Sequence, residues 1–230
     1  MVNDDDIKRV RKYSSGAQVI FENAEALYNE AQLIGNTGAL ARAAALHQLS
    51  MEECAKIDML GAYATSLLAG HGVDDEVIAR VFREHKTKNY ANAYNAKVTP
   101  DETEAQARGD WAASSDAFNK FQRQFHLEIN AIKNSALYVD FKDGEFVSPK
   151  DVVTEHMAAA LMHMNAEYLQ RSALFVRLLR RIESDPKKYA ESVTRAIEQA
   201  ESRRQEGNFD PDKILEEMME ELRMTIARDG

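Results

Sequence analysis

The chain has 230 residues, 44 % hydrophobic and 29 % charged, enough to bury one sizeable core. A formal net charge of −9 argues against binding nucleic acid over the whole surface, and a single cysteine, Cys54, excludes an internal disulfide or a cysteine-cluster metal site. No apolar run approaches the ~18 residues of a spanning helix. The acidic start, Met1-Val2-Asn3-Asp4-Asp5-Asp6, is unlike a secretion signal, so the expected location is the cytoplasm, with no membrane contact.

Scarce proline and glycine, with long stretches of Ala, Glu, Leu, Lys and Arg, favour helix. The first helix is expected from about Asp4 to Ile34, its acids at the positive end of the helix dipole and Tyr13, Ile20, Ala24, Leu27 and Ala31 in one stripe. Gly35-Asn36-Thr37-Gly38 breaks it, with Thr37 as N-cap of a second helix reaching about Ala69, where Gly70-His71-Gly72 ends it. Asp74 caps a third helix through about Lys97. After a turn at Thr99-Pro100-Asp101, a fourth spans roughly Glu104 to Leu137, with Phe118, Phe121, Phe125, Ile129 and Ile132 on one side. Asp143-Gly144, between short aromatic and β-branched runs, signals a β-hairpin near 138–147. Ser148-Pro149 leads into a fifth helix carrying Val153, Met157, Leu161, Met164, Tyr168 and Phe175. Asp185-Pro186 opens another to about Glu206, and Asp210-Pro211 caps a last one, Ile214 to Ala227. The fold expected is all-α, an antiparallel bundle over 1–185 with a helical extension over 186–230 that packs on the bundle or on a partner.

In the second helix Leu46, Leu49, Ile57 and Leu60 recur with helical spacing, and Glu53 and Lys56 fall among them. A charge buried alone is costly, so each needs a partner. Two arrangements satisfy this: a mutual i,i+3 ion pair, or a polar pocket in the core. The third helix repeats the pattern, with His85 and Asn89 on the side of Ile78 and Phe82, while Arg80 and Arg83 point away. Consecutive helices joined by a short loop pack together, so Glu53, Lys56, His85 and Asn89 can converge. Arg80, Arg83, Lys86 and Lys88 outnumber Glu84 and form a local basic strip suited to phosphate. His156, His163 and Glu167 line one flank of the fifth helix and read as the border of a packed face. Paired Glu-x-x-His motifs, a Gly-rich phosphate loop and a Ser-His-Asp arrangement are missing from the sequence, so no metal or cofactor is expected.

Three segments together carry a resemblance: Ser50-Met51-Glu52-Glu53-Cys54-Ala55-Lys56, Arg80-Val81-Phe82-Arg83-Glu84-His85-Lys86-Thr87-Lys88, and Lys133-Asn134-Ser135-Ala136-Leu137-Tyr138-Val139-Asp140. In order and spacing, over roughly Ile20 to Arg180, the chain resembles the AbiV family of bacterial abortive-infection proteins, within the HEPN superfamily. The resemblance implies a HEPN-type helical domain, usually a homodimer, that arrests the host in anti-phage defence. Many HEPN proteins are metal-independent ribonucleases with an Arg-x4–6-His motif, which falls here on Arg80 and His85. Histidine exchanges protons near neutral pH and suits a ribose 2′-hydroxyl, and arginine suits the scissile phosphate. On one straight helix these two would sit about 140° apart, so the motif requires a helix break or an arginine from a partner subunit. The tyrosine that some HEPN toxins carry two residues after the histidine is Thr87 here.

The functional expectation is an endoribonuclease toxin. Arg80 and His85 would be catalytic, Glu53 and Lys56 would orient the histidine, and Arg83, Lys86, Lys88 and Asn89 would bind RNA. A phage protein is the expected activator. The alternative is a non-enzymatic helical dimer that blocks translation by binding a phage or host protein; the acidic overall charge favours it.

Overall fold

The computed structural model describes residues 2–96 and 98–205. The helix expected from Ile214 to Ala227, with its Asp210-Pro211 cap, lies outside the described residues. Within them the chain is all-α apart from one two-stranded sheet.

Helix α1 (Asp4–Gly35) starts where Asn3 Oδ1 accepts the Asp5 and Asp6 amides, both at 2.9 Å. Val10, Ala17, Ala24 and Ala31 stand seven apart along it and are wholly buried. That spacing keeps one narrow stripe of mostly small side chains on a neighbouring helix over the full length. The neighbour is α2 (Leu40–Leu68), the most enclosed helix of the fold, with buried residues around most of its circumference. Thr37 does not cap α2. Its hydroxyl donates to the Ile34 carbonyl at 2.7 Å and so closes α1, while Ala39 at the start of α2 offers no side-chain cap.

The third expected helix is two. Asp74 does cap α3 (Asp75–Val81), but a turn at Phe82 and Arg83 ends it, and α4 (His85–Ala93) starts afresh. Ile78 and Phe82 of α3 pack on one hydrophobic cluster, whereas Ala93 of α4 belongs to another. A single straight rod could not reach both. The fourth expected helix is also two. Thr99 and Glu102 form a capping box at the start of α5 (Pro100–Ala107), Gly109 takes φ 68°, and Asp110 caps α6 (Trp111–Leu137).

Strands β1 (Asp140–Lys142) and β2 (Glu145–Val147) pair antiparallel, with Asp143 at φ 53° and Gly144 at φ 89° in the two-residue turn that Asp-Gly favours. A short helix α7 (Pro149–Val152) precedes α8 (Glu155–Ser184), which Thr154 caps. Helix α9 (Pro186–Gln205) lies on the bundle: Tyr189, Ala190 and Val193 join Val10, Ile57, Leu60, Val176 and Leu179 in one cluster. The second cluster joins the other half of α1 and α2 to α4, α6 and the start of α8.

Polar groups thread this second half. His47, 3 % exposed, takes a hydrogen bond from Asn165 Nδ2 at 3.1 Å, and Ser50 Oγ donates to the Ala24 carbonyl at 2.7 Å. Burial pushes the His47 imidazole down to about 4 from its ordinary 6.5. The unfolded chain then binds a proton that the folded one refuses between those values, so folding weakens as pH falls from 6.5 to 4. The loss expected is on the order of 3 kcal/mol, read as the difference in thermal unfolding between the native chain and His47→Gln across that range. Equal slopes for the two would refute it.

Candidate functional site

The centre of the site is Glu52, wholly enclosed on α2 at 2 % exposure. Two ammonium groups and an imidazole converge on its carboxylate from two other helices. Lys88 of α4 lies 2.8 Å from Oε2, Lys133 of α6 donates to Oε1 at 2.9 Å, and His85 Nδ1 of α4 lies 2.6 Å from Oε2. Burial alone would raise the Glu52 carboxyl above its ordinary value. Hydrogen bonds from Lys88 and Lys133, with their charges, outweigh it and hold the group below that value. Glu52 is therefore an ionised acceptor, and the shared proton sits on His85 Nδ1. In the neutral form of the ring that arrangement leaves the lone pair on Nε2, and the side chain is 54 % exposed.

The helix break after Val81 makes this possible. It places His85 in the first turn of α4, one turn ahead of Asn89 and adjacent in angle to Lys88, so that α4 turns His85, Lys88, Asn89 and Asn92 toward α2 and α6. Asn92 Nδ2 donates to the Met51 carbonyl at 2.9 Å and Tyr168 Oη to the Asn92 carbonyl at 2.9 Å, which pins α4 beside Glu52. Asn89 Nδ2 donates to His126 Nδ1 of α6 at 3.2 Å. Burial first, and then the charges of Lys86 and Lys133, push the His126 pKa down, which keeps that ring neutral and its proton on Nε2.

The residues singled out from sequence divide. His85 and Lys88 join at the carboxylate, and Asn89 is close behind them, but Lys88 and Asn89 are buried and serve the architecture of the site instead of an open surface. Glu53 and Lys56 are not His85's partners: they pair with each other at 2.6 Å, each side chain 17 % exposed, and the Lys56 ammonium lies 5.7 Å from the Phe82 ring centre. The neighbouring Glu52 takes the role expected of Glu53. Arg80 is exposed on α3 and makes no described hydrogen bond or ion pair with His85; its charge acts on Tyr63. Arg83 and Lys86 are exposed, Lys86 over the Tyr90 ring at 5.3 Å. Lys133 was legible in principle, four residues after Ile129 and eight after Phe125 on the buried side of α6. His156 and His163 are exposed, and among the described residues no group of three or more His, Cys, Asp or Glu side chains is arranged to hold a metal ion. Burial lifts the Cys54 thiol to about 12 and leaves it inert. Among the described residues no helix is long and apolar enough to cross a membrane.

One curated relative, "Uncharacterized protein y4gJ" of Sinorhizobium fredii (strain NBRC 101917 / NGR234), is 35 % identical over 111 residues, which are 48 % of this chain and 58 % of that protein. The chain thus spans less than two thirds of that relative's length. No solved structure matches it significantly. The family model described as AbiV (HEPN_AbiV) matches residues 12–170, the stretch that holds Glu52, His85, Lys88 and Lys133, and the chain belongs to that family.

Proposed function

We propose that this AbiV-family chain is an abortive-infection ribonuclease of HEPN type, with His85 as the group that moves the proton. The observation that supports this most is the His85 ring: Nδ1 is tied to a buried carboxylate at 2.6 Å while the far side of the ring is open to solvent. Such a ring is oriented and held in one tautomer, as a general base needs to be. In the step itself the ribose 2′-oxygen attacks phosphorus, its proton passes to His85 Nε2, and the bond from phosphorus to the 5′-oxygen breaks. The 5′-oxygen leaves with a proton from water, and the product carries a 2′,3′-cyclic phosphate. Glu52 positions the ring and stabilises the imidazolium that forms. Lys88 and Lys133 leave this buried group of three charges with an excess of one positive charge, which favours a phosphate nearby. Arg80, exposed on α3 and without a described hydrogen bond or ion pair to His85, fits the role of phosphate clamp for the site of a second copy in a homodimer.

The purified chain, incubated with single-stranded RNA in a chelator, is expected to produce 2′,3′-cyclic phosphate ends, detected by enzymatic end analysis. Intact RNA at high protein concentration, with lysate from infected cells added as a source of activator, would count against the enzyme. One observation favours a second reading, docking to a phage or host protein. The hairpin exposes Phe146 at 81 % and Phe141 at 58 %, and Tyr138 just before it is 65 % exposed, an apolar patch of the kind that proteins bind. Growth arrest that survives loss of His85 would select that reading.

A further inference from the structure

Helices α4 and α6 run antiparallel, and their shared seam leads away from His85 in regular steps. On α4 the steps are Lys86, Tyr90 and Tyr94, four residues apart; on α6 they are His126, Gln122 and Phe118, also four apart. They meet rung by rung. The Tyr90 and His126 rings stand edge to face with centres 5.7 Å apart, Gln122 Nε2 donates to the Tyr90 carbonyl at 3.0 Å, and the Tyr94 and Phe118 rings lie 4.6 Å apart.

Two features mark this seam as more than packing. The aromatic residues of α6 that serve the core, such as Phe125, are buried, yet Tyr94 keeps 65 % of its surface in water while Phe118 braces it from behind. An aromatic ring backed by a neighbour and open to water is a platform on which a base can stack. The charge is equally selective. The chain carries 38 Asp and Glu, but neither wall of the seam, residues 85–95 or 117–127, contains one. The same two stretches hold Lys86, Lys88, Lys120 and Arg123, of which Lys86, Lys120 and Arg123 are exposed. In a chain of net charge −9, a carboxylate-free strip is where a polyanion can approach.

We infer that the α4–α6 seam is a track for single-stranded RNA leading to His85, with a base stacked on Tyr94 and phosphates held by Lys86 and Arg123. From Lys86 to Tyr94 the helix rises ~12 Å, room for a few nucleotides beside the scissile bond. Duplex RNA keeps its bases paired and cannot use the Tyr94 platform, so the track selects unpaired strands. The inference rests on the reading of His85 as the centre of an RNA-cleaving site.

The test uses the full chain with His85→Ala, which leaves RNA uncut, and fluorescence anisotropy of a short labelled poly-uridine strand. Adding Tyr94→Ala is expected to weaken binding about 5- to 150-fold, whereas Tyr94→Phe keeps it. Lys86→Ala is expected to weaken binding and flatten its salt dependence, and a labelled RNA duplex should bind less tightly than the single strand. Affinity unchanged by Tyr94→Ala, or no preference for the single strand, overturns the track. So does growth arrest lost in Tyr94→Ala with RNA affinity intact, which assigns the face to a protein. Cleavage by the native chain that is indifferent to Tyr94 would sink the track and leave the ribonuclease standing. Binding through Tyr94 without cleavage by the native chain would do the reverse.

Discussion

His85→Ala is expected to lower RNA cleavage by about 10²–10⁴-fold, the usual contribution of a positioned acid–base group, while the protein unfolds at nearly the native temperature. Both halves follow from geometry. The ring is half in water, so removing it opens no cavity in the core, and Glu52 keeps Lys88 and Lys133 as partners. Cleavage rate against time at fixed RNA, with thermal unfolding in parallel, measures the two quantities. A variant that folds and cuts RNA at the native rate would remove His85 from the chemistry. If growth arrest also survives, docking through the exposed hairpin becomes the better account.

Glu52→Gln carries the largest expected cost in stability, about 3–5 kcal/mol, because it takes the carboxylate from two buried ammonium groups. Lys88 and Lys133 are 5 % and 7 % exposed, and neither has another described anion. Lys133→Met should cost less, since it leaves one carboxylate and one ammonium in balance. Chemical denaturation of the two variants gives the comparison, and a Glu52→Gln chain as stable as the native one would show that the carboxylate bears no such weight. Acid should act in the same direction. A carboxyl held below its ordinary 4.5 stabilises the fold above that pH and loses its contribution as pH falls through the lowered value. Activity separates positioning from mere support: Glu52→Asp, if it still reaches the ring, should restore part of the cleavage rate.

Much of this was legible in the residues. The start of α1 near Asp4, the burial of Tyr13, Ala24 and Ala31 along it, and the Asp143-Gly144 turn all follow from local patterns that tertiary contacts do not override. The α5–α6 boundary was also written locally, as Gly109 followed by Asp110, but the apolar pattern runs across it and hides the break. The misassignment of the carboxylate has a different cause. Of the four residues that mark the apolar side of α2, Ile57 and Leu60 are buried but Leu46 and Leu49 are only half buried, and the deeper surface near Glu52 is made of Ala41, Ala44, Ala45 and Ala55. Small side chains let other helices come close, and Glu52 shares their side. The spacing of the large apolar residues does not register such a surface and points one residue away, to Glu53.

By itself the sequence determined the helical class, the acidic charge, the basic strip near His85 and the segments shared with the AbiV family, because these depend on composition and on neighbours along the chain. Only the tertiary structure decided which charges meet. Glu52 lies 33 residues from His85 and 81 from Lys133 in the chain, and packing of three helices brings them onto one carboxylate. Periodicity says that a residue shares a side with its neighbours; it does not say which of several covering helices will face that side. On a helix enclosed as α2 is, that choice separates a partly buried ion pair at Glu53 and Lys56 from the buried anchor at Glu52 that aims His85.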